Sequence, residues 1–486
     1  MKLLKDILYK VEIQSVIGNT DININKIEFN SKKILKNDLF IAIKGYKSDG
    51  NSFISNAISN GSKAIICNSV PSQITKDVTY IIVIDSRKTL ALISSNYYDN
   101  PSQKIKLIGV TGTNGKTSST TLMYQLFKSF NKKVGLISTN IILVNNIKFN
   151  SNQTTPDSLY LNYILNEMVV SKVEYCFMEV SSHAILQMRV YNLSFDVGVF
   201  TNLSHDHLDY HKSFKDYRDV KKIFFDSLPK SSFAITNVDD KNGNYMVQNA
   251  VCEIFSYSLK FNSNFSLKIL EKDFNGMKLL INDIELWTKL TGTFNAYNIL
   301  TVFCVAKVFN ISDESILQKI SSLNSPEGRF ELINLNSDKI GIIDYAHSPD
   351  SLKNVLNTIN DIKNLNESLI TVIGCGGDRD KEKRPLMGKI ACSLSDKVIF
   401  TSDNPRSEDP IVIIDQMKSG VKNKDKHKFI LEINRRKAIQ EACELARKND
   451  VILIAGKGHE KYQITGKEKM KFNDKKILIE SLKINK

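Results

Sequence analysis

The chain has 486 residues, 42% of them hydrophobic and 24% charged. This composition is typical of globular proteins and excludes collagen-like, disordered and disulfide-scaffold chains, while the length favours two to four domains over one core. The 66 Lys and Arg residues exceed the 52 Asp and Glu residues, and the net charge of +14 favours anionic partners such as nucleic acid, a nucleotide or an acidic metabolite.

The cysteines and the apolar runs indicate the compartment. Seven cysteines are scattered without a CxxC pair, which favours a reducing compartment and argues against a zinc ribbon. Asp6 and Lys10 interrupt the N-terminal apolar run, so no signal peptide is predicted. The longest apolar stretches, such as residues 80–84, are too short to cross a bilayer. We therefore expect a soluble, cytoplasmic protein.

The first hundred residues alternate short apolar runs with polar turns. Residues 38–45 and 62–67 have the pattern of buried strands, and residues 87–98 have helical spacing. Asn100-Pro101 ends that helix, because the residue before a proline disfavours helical geometry. We expect a first domain at residues 1–102.

A new pattern of strand, turn and helix begins at residue 104. The predicted strand at 105–110 leads through a glycine-rich turn into a helix from 116 to about 129. Further strands at 173–180 and 195–200 indicate a mostly parallel, doubly wound sheet. Residues 250–290 have the pattern of hairpin strands, and helices are expected around 296–309 and 314–323. This segment is the predicted central domain, residues 103–325.

The turn at residues 325–328 opens a second α/β unit. Strand-like runs at 340–345, 369–374, 397–401 and 451–456 are separated by helix-length segments. We expect this unit to form a C-terminal domain, residues 326–486.

The strongest local signal is the segment GVTGTNGKTS at residues 109–118. A buried strand leads into a glycine-containing turn whose amides can bind phosphate oxygens, and a helix N-terminus follows at once. Lys116 would contact the β- and γ-phosphates, and the Thr117 hydroxyl would bind magnesium. Val110 replaces the first glycine of the strict phosphate-loop pattern, so the shorter form is present. The alternative is an ordinary turn that happens to carry a lysine.

Polar clusters follow two further strands of the central segment. Glu179 and His183 lie at the end of one, and the segment 200–211 contains three histidines and two aspartates. Ligands bind at the carboxyl ends of strands in open α/β sheets, and such side chains suit a divalent ion beside ATP phosphates. A zinc site and a solvated loop are the alternatives for residues 200–211.

Four polar loops follow strands of the third segment, at residues 344–349, 374–381, 403–406 and 456–460. Their joint position at strand ends predicts one shared pocket, although each loop alone is ordinary turn chemistry. Arg379 and Arg406 could each bind a carboxylate through two nitrogens.

With these motifs in order, the sequence resembles the Mur ligases of bacterial peptidoglycan synthesis over essentially its full length. The resemblance rests on GVTGTNGKT (109–117), MEVSSH (178–183), TNLSHDHLDYH (201–211), GTFNAYN (292–298), PEGR (326–329), DYAH (344–347) and AGKGHE (455–460). It implies a three-domain α/β architecture, with a central P-loop-type mostly parallel sheet and a C-terminal Rossmann-like domain. The motif DNPR at 403–406 is similar to that of members that add the third residue of the stem peptide and select meso-diaminopimelate over L-lysine.

The resemblance also implies site residues. Those for ATP are Gly112, Thr113, Asn114, Gly115, Lys116, Thr117, Ser118, Asn295, Arg329, Asp344 and His347. Those for the UDP-N-acetylmuramoyl dipeptide are Phe29, Ser31, Gly45, Tyr46, Lys47, Gln153, Thr154, Thr155, Ser181, Gln187 and Arg189. Those for meso-diaminopimelate are Arg379, Asp403, Asn404, Pro405, Arg406, Gly456 and Glu460.

The catalytic and magnesium sites implied by the resemblance share most of their residues. Lys116, Glu179, His207 and Lys221 are implied as catalytic, and Thr117, Glu179, His207 and Lys221 as magnesium ligands. Lys221 lies fourteen residues after His207, where the family carries an N-carbamylated lysine. Without the resemblance, Lys221 is read as a surface helix lysine.

The implied reaction is ATP-dependent amide formation through an acyl phosphate, with ATP as co-substrate and Mg²⁺ as cofactor. The implied partners are small-molecule substrates alone, without nucleic acid or membrane insertion, and the expected state is a monomer. The alternatives are a folylpolyglutamate synthetase, a lysine-adding ligase of the same family, and a nucleotide-dependent regulator that binds nucleic acid with salt-sensitive affinity.

Overall fold

The computed structural model describes residues 1–45, 49–151, 153–207, 210–333 and 338–484. Within these residues, three large sheets of five, 11 and six strands follow one another along the chain. The described strands of each large sheet come from a separate segment of the chain. We therefore name the three sheets the N-terminal, central and C-terminal sheets. In the same residues, no helix combines the length and the apolar character that crossing a bilayer requires.

The N-terminal sheet has the strand order β2-β7-β6-β5-β4, in which only β2 is antiparallel to its neighbour. Asp85 caps α3 by accepting hydrogen bonds from two amides of its first turn. The elements of this region are β1 (Lys2–Leu3), α1 (Leu4–Ile7), β2 (Ile13–Ile17), β3 (Asn23–Ile24), β4 (Ile27–Glu28), β5 (Leu39–Ile41), α2 (Ile54–Ser59), β6 (Ala64–Cys67), β7 (Thr79–Val83) and α3 (Ser86–Tyr97).

The central sheet has the strand order β11-β10-β9-β12-β8-β13-β14-β15-β16-β17-β18. Its strands are β8 (Lys106–Thr111), β9 (Val134–Ile137), β10 (Ile142–Val144), β11 (Ile147–Phe149), β12 (Tyr175–Glu179), β13 (Val197–Phe200), β14 (Phe233–Asn237), β15 (Glu253–Ser258), β16 (Phe265–Asp273), β17 (Gly276–Ile281) and β18 (Ile284–Thr288). Its helices are α4 (Lys116–Ser129), α5 (Ser158–Val170), α6 (Ser182–Leu186), α7 (Phe214–Asp226), α8 (Gly243–Val247), α9 (Thr293–Val308) and α10 (Asp313–Ile320).

Pairing in the central sheet confirms the predicted parallel arrangement. The hairpins predicted over residues 250–290 are found for β16, β17 and β18 but not for β15, which is parallel to both of its neighbours. Strands β9, β12, β8, β13, β14 and β15 are mutually parallel, whereas β16, β17 and β18 form antiparallel hairpins. Because successive side chains face opposite sides, Phe177 packs in the core on one face and Cys176 and Met178 in the core on the other. Both faces are therefore covered, and β8, β12 and β13 end at a common edge.

The C-terminal sheet has the order β19-β20-β24-β21-β22-β23 and is parallel except for β19. This confirms the expected second α/β unit. A hairpin of β25 and β26 stands apart from the sheet, and no sequence signal predicted it. The elements are β19 (Glu331–Ile333), β20 (Ile340–Asp344), α11 (Pro349–Ile362), β21 (Leu369–Ile373), α12 (Lys383–Leu394), β22 (Lys397–Phe400), α13 (Pro410–Ser419), β23 (Phe429–Leu431), α14 (Arg435–Leu445), β24 (Val451–Ala455), β25 (Tyr462–Thr465), β26 (Glu468–Lys471) and α15 (Asp474–Ile484).

Candidate active site

The loop between β8 and α4 has the strained geometry that phosphate loops need. Gly112 and Gly115 have φ angles of +149° and +87°, in the region that favours glycine. A Cβ on Gly112 would lie 1.9 Å from the Thr201 hydroxyl, so only glycine fits there. The same hydroxyl donates a hydrogen bond to the Asn114 carbonyl at 2.7 Å. The loop is therefore held by the segment that follows β13.

Two lysine ammonium groups converge on one carbonyl of this loop. The Lys116 Nζ donates to the Gly112 oxygen at 2.8 Å, and the Lys221 Nζ, from α7, donates to the same oxygen at 3.0 Å. Lys221 has only 1% of its surface exposed. Burial lowers the pKa of Lys221 well below its usual value, and the charge of Lys116 lowers it further. Lys221 is therefore part of the phosphate-loop environment and not a surface helix lysine.

Thr117 and Glu179 form a buried pair of oxygen donors beside the loop. The Thr117 hydroxyl donates to Glu179 Oε1 at 2.8 Å, and the Thr139 amide donates to the same oxygen at 2.7 Å. Glu179, at the end of β12, is 1% exposed. Arg329 Nη2 donates to the Thr117 hydroxyl at 3.1 Å, which brings a residue that precedes β19 to the phosphate loop.

The donor set of this pair suits a hard cation. Hydroxyl and carboxylate oxygens are the ligands that magnesium prefers. Among the described residues there is no group of three or more His, Cys, Asp and Glu side chains close enough to hold a metal ion. Thr117 and Glu179 therefore supply the kind of oxygen ligands that suit magnesium. Within the described residues, nothing supports zinc coordination by the histidine-rich segment.

His207 lies on the segment after β13 in a left-handed conformation, with φ of +56°. Burial lowers the pKa of His207 to about 3, although Asp206 opposes that shift. The His183 ring contacts the His207 ring edge-on, with 4.9 Å between centroids, and stacks on Tyr210 at 3.9 Å. The histidines predicted to lie near the phosphate site are therefore packed together.

A cleft of about 570 Å³ joins the phosphate loop to the loops of the C-terminal sheet. The residues predicted from sequence that line it are Thr113, Asn114, Gly115, Lys116, Thr117, Ser118, Gln153, Thr154, Glu179, Ser181, Arg189, His207, Lys221, Arg329, His347, Arg379, Asp403, Asn404, Arg406, Gly456 and Glu460. The pocket expected from the four strand-end loops is thus formed, and the central sheet contributes its other wall.

The 403–406 loop is fixed from behind by the β25–β26 hairpin. The Ile464 amide donates to Asn404 Oδ1 at 3.0 Å, and the Arg406 amide donates to the Ile464 carbonyl at 3.1 Å. Gln463 Nε2 donates to the Asp403 carbonyl at 2.7 Å. These bonds hold Arg406 at a φ of +52°, and its Nη1 donates to the Gly377 carbonyl at 2.6 Å.

Gly456 has a structural reason to be present, whereas Pro405 contacts its neighbours through its backbone. A Cβ on Gly456, whose φ is +110°, would lie 2.7 Å from Asp403 Oδ2. The Pro405 carbonyl accepts a hydrogen bond from the Glu408 amide and closely approaches Gly377. Pro405 is buried and does not line the cleft.

A second cavity, of about 520 Å³, lies between the phosphate loop, α9 and α11. Asn114, Ser118, Arg329 and Asp344 line it. Asp344 accepts hydrogen bonds from the Phe330 and Ala346 amides, both at 2.7 Å, and burial raises its pKa to about 6. Asn295 lines neither cavity.

Asn295 and Thr155 lie behind the cavity walls. The Asn295 Oδ1 accepts a hydrogen bond at 3.0 Å from Asn298, which lines the second cavity. The Thr155 hydroxyl donates to the Glu179 carbonyl at 2.7 Å.

The remaining residues predicted for the UDP-linked substrate are spread more widely. Gln187 Oε1 accepts two hydrogen bonds from Arg189, at 3.1 and 2.7 Å. Phe29, Ser31 and Gly45 belong to the N-terminal sheet region and do not line the cleft. Tyr46 and Lys47 lie outside the described residues.

Sequence reasoning missed three residues that contact the site. Thr139 binds Glu179, Asp350 accepts a hydrogen bond from Asn114 at 2.9 Å, and Lys457 contacts Asn404 and Glu460. Thr139 lies two residues after the end of β9, so the rule that identified Glu179 could have found it. Lys457 lies in the 456–460 loop that the sequence singled out, although no role was assigned to its side chain. For Asp350 the sequence carries no comparable signal.

Comparisons with known proteins identify relatives over the whole chain. Family profiles described as Mur ligase family catalytic domain, Mur ligase middle domain, and Mur ligase glutamate ligase domain match residues 23–98, 110–306 and 328–458. The UDP-N-acetylmuramoyl-L-alanyl-D-glutamate--2,6-diaminopimelate ligase of Cytophaga hutchinsonii is 46% identical over 481 residues, covering 99% of each chain.

Solved structures agree with this. A structure of a UDP-N-acetylmuramoyl-L-alanyl-D-glutamate--2,6-diaminopimelate ligase has a TM-score of 0.70 and 28% identity, covering 99% of both chains. A Mycobacterium tuberculosis folylpolyglutamate synthase complexed with ADP and AMPPCP has a TM-score of 0.61 and 16% identity. The match covers 92% of that protein and 76% of this chain, and the likeness concerns the fold alone.

Proposed function

The chain belongs to the Mur ligase family, and from that premise we propose that it joins meso-2,6-diaminopimelate to the D-Glu carboxylate of UDP-N-acetylmuramoyl-L-Ala-D-Glu at the expense of ATP. The reaction serves the synthesis of peptidoglycan precursors. The relatives' names supply UDP-N-acetylmuramoyl-L-alanyl-D-glutamate and 2,6-diaminopimelate, whereas the use of ATP and the meso configuration rest on the resemblance. One observation carries the proposal at the residue level: the phosphate loop and the 403–406 loop line the same cleft.

The chemistry has two steps. A carboxylate oxygen of D-Glu attacks the γ-phosphorus of ATP, and the bond to the β,γ-bridging oxygen breaks to release ADP and leave an acyl phosphate. The amine of diaminopimelate then attacks the acyl carbon, phosphate leaves, and the amine gives up its proton. The first step depends on positioning and charge neutralisation more than on covalent help.

The phosphate loop is our proposed site for the ATP phosphates. The amides of the loop and of the first turn of α4 would bind the phosphate oxygens, and Lys116 would leave the Gly112 carbonyl to neutralise their charge. Arg329 donates a hydrogen bond to the Thr117 hydroxyl, so its guanidinium group also lies beside the proposed phosphate site. We propose the second cavity, which adjoins the loop, as the site of the nucleoside. Asn295 and Asp344 would support its walls. His347 lines the adjoining cleft.

We propose magnesium as the cofactor, held by Thr117, Glu179, His207 and a carbamylated Lys221. When bound, it would neutralise charge on the transferred phosphoryl group. The carbamate rests on the resemblance, and the geometry supports it. Two ammonium groups share the Gly112 carbonyl, so converting one of them to a carbamate would replace repulsion by attraction.

The C-terminal loops are proposed to bind the amino acid. Arg406 and Arg379 would bind the carboxylate at the distal centre of meso-diaminopimelate, which L-lysine lacks. Asp403 and Glu460 would accept from the neighbouring amino group, and Asn404 would hold Glu460 through its amide nitrogen. L-lysine would leave both guanidinium groups without this carboxylate, so L-lysine is expected to react poorly.

The UDP-linked substrate is proposed to reach the cleft from the N-terminal sheet. Gln153, Thr154, Ser181 and Arg189 line the cleft, whereas Phe29, Ser31 and Gly45 would contact the UDP end. We also propose the borders 1–102, 103–325 and 326–486 for the three domains, a monomeric state and a cytoplasmic location. No nucleic-acid or membrane partner is needed for this reaction.

The deciding experiment measures phosphate release from ATP with magnesium and UDP-N-acetylmuramoyl-L-Ala-D-Glu. Parallel reactions contain meso-diaminopimelate, L-lysine or no amino acid. Release that depends on meso-diaminopimelate is the expected result. Release with L-lysine alone would contradict the amino acid specificity, and release with neither would contradict the reaction. A folate and L-glutamate control tests the folylpolyglutamate alternative.

A further inference from the structure

A buried lysine that the mechanism above does not use lies beneath the amino-acid end of the cleft. Lys457, in the turn after β24, has 0% of its surface exposed. Its Nζ lies 3.0 Å from Asn404 Oδ1, 3.0 Å from Glu460 Oε2 and 3.9 Å from Asp403 Oδ1. A buried ammonium group thus contacts three of the side chains proposed to bind diaminopimelate.

Lys457 and the Ile464 amide together determine which way the Asn404 amide faces. A lysine ammonium group only donates hydrogen bonds, so the atom facing it must be the oxygen of Asn404. The Ile464 amide, also a donor, lies 3.0 Å from the same oxygen. The Asn404 Nδ2 is consequently directed to Glu460 Oε2 at 2.8 Å.

The same contacts orient Glu460. Its Oε2 accepts from both Lys457 and Asn404, whereas its Oε1 has no hydrogen-bond partner within the part of the chain that the structure describes. Glu460 lines the cleft, and its side chain is 15% exposed. One carboxylate oxygen is therefore fully used by the protein, which leaves the other for a ligand.

Lys457 also balances charge. The carboxylates of Asp403 and Glu460 both lie within 4 Å of its Nζ. Two carboxylates near each other in a buried site repel, and an ammonium group at this distance from both offsets that repulsion by attraction. A carboxylate held in a fixed orientation is what a substrate ammonium group needs as its acceptor.

We propose that Lys457 is a positioning residue for amino-acid selection: directly and through Asn404, it holds Glu460 so that the other carboxylate oxygen, Oε1, can accept from the distal amino group of the incoming amino acid. This rests on the proposed function, because it deepens the role of the same pocket. It assigns no contact between Lys457 and the substrate.

The test compares Lys457→Met with Lys475→Met, which removes another ion-paired lysine of the same region, partnered by Glu331 outside the cleft. For Lys457→Met, the KM for meso-diaminopimelate should rise about tenfold or more, the size expected when hydrogen bonds to a charged group are lost. The KM values for ATP and for the UDP-linked substrate should stay within about twofold. Lys475→Met should leave all three unchanged.

A double-mutant cycle separates positioning from a merely structural role. If Lys457 acts through Glu460, Glu460→Gln should cost much less in the Lys457→Met background than in the wild type. Additive effects, an unchanged KM for diaminopimelate, or equal changes in all three KM values would overturn the proposal. Lys457→Gln, which keeps one donor, is the second variant. Failure of both variants to fold, while Lys475→Met folds, would assign Lys457 to stability instead.

Wild-type activity separates this proposal from the proposed function. If the wild-type protein releases no phosphate with meso-diaminopimelate, the proposed function fails and the positioning role fails with it. If the wild type is active and Lys457→Met behaves like Lys475→Met, only the positioning role fails.

Discussion

The side-chain amide of Asn114 donates a hydrogen bond to the carboxylate of Asp350 at 2.9 Å. Asn114 is in the phosphate loop of the central sheet, and Asp350 is in the first turn of α11, beside the C-terminal sheet. The bond therefore joins the two parts of the chain that would carry the nucleotide and the amino acid. Holding these parts together is a requirement of a reaction whose substrates bind to different units.

The substitution Asp350→Ala should weaken this link between the two parts of the chain. A part-buried hydrogen bond to a charged group contributes about 1.5–3 kcal/mol, so kcat/KM should fall about tenfold or more. The control is Glu285→Ala on β18, whose partner Lys278 comes from β17 and which lines neither cavity. Because Glu285 is 55% exposed, its ion pair should contribute little. Equal kcat/KM values for the two variants would argue against the role of Asp350 in linking the two parts of the chain.

Thr117→Val should abolish most activity without disturbing the fold. The change keeps the side-chain shape but removes the hydroxyl that contacts both Glu179 and Arg329. We expect kcat to fall about 100-fold, as when one electrostatic contact to the transition state is lost. Thr120→Val is the matched control, because the Thr120 hydroxyl bonds only to carbonyls of its own helix. Phosphate-release rates and thermal melts of both variants check the prediction.

Arg406→Lys should lose most activity with meso-diaminopimelate. An ammonium group cannot reproduce the two parallel bonds of a guanidinium to a carboxylate, so kcat/KM should fall about 10- to 100-fold. Arg436→Lys, at an exposed position on α14, should have no effect. An unchanged kcat/KM for Arg406→Lys would remove Arg406 from the pocket.

Asp474→Asn should destabilise the protein strongly. Arg435 Nε and Nη2 bind the two oxygens of Asp474 at 2.8 and 2.7 Å, and both side chains are fully buried. Removing one charge of a buried pair leaves the other uncompensated, which costs about 3–5 kcal/mol of the free energy of unfolding. The neighbouring pair Arg436–Glu480 is exposed, so Glu480→Gln should cost about 0–1 kcal/mol. Denaturant unfolding of the two variants measures the difference.

Stability should depend on pH through His459. Burial lowers the pKa of His459 to about 3, and the charges of Arg329, Lys461 and Lys457 contribute. An unfolded histidine titrates near about 6.5, so between about pH 3 and 6.5 the unfolded state binds a proton that the folded state does not.

The free energy of unfolding therefore rises with pH across that window. This contribution is fully present above about pH 6.5 and is lost as the pH falls through the window towards 3. His459→Gln should flatten the dependence, whereas His427→Gln, at an exposed position, should not. Urea midpoints at pH 5 and pH 7 measure it, and identical profiles for the wild type and His459→Gln would contradict the assignment.

The sequence by itself determined the local units of this protein and its family. The strand–loop–helix at Lys116, the strand before Glu179 and the loops at Asp403 and Gly456 depend on residue types within a few positions of one another. Patterns of this kind act through local backbone geometry, so a linear pattern is sufficient to find them.

Only the tertiary structure decided which distant side chains meet. Asn114 and Asp350 are 236 residues apart, and Lys457 and Asn404 are 53 apart. The hairpin of β25 and β26 is held by contacts with the 403–406 loop, which no local pattern encodes. Lys221 looks like any helix lysine until packing buries its ammonium group beside Lys116. The physical reason is that burial and charge pairing depend on how the sheets and loops pack in three dimensions, and spacing along one chain carries little of that information.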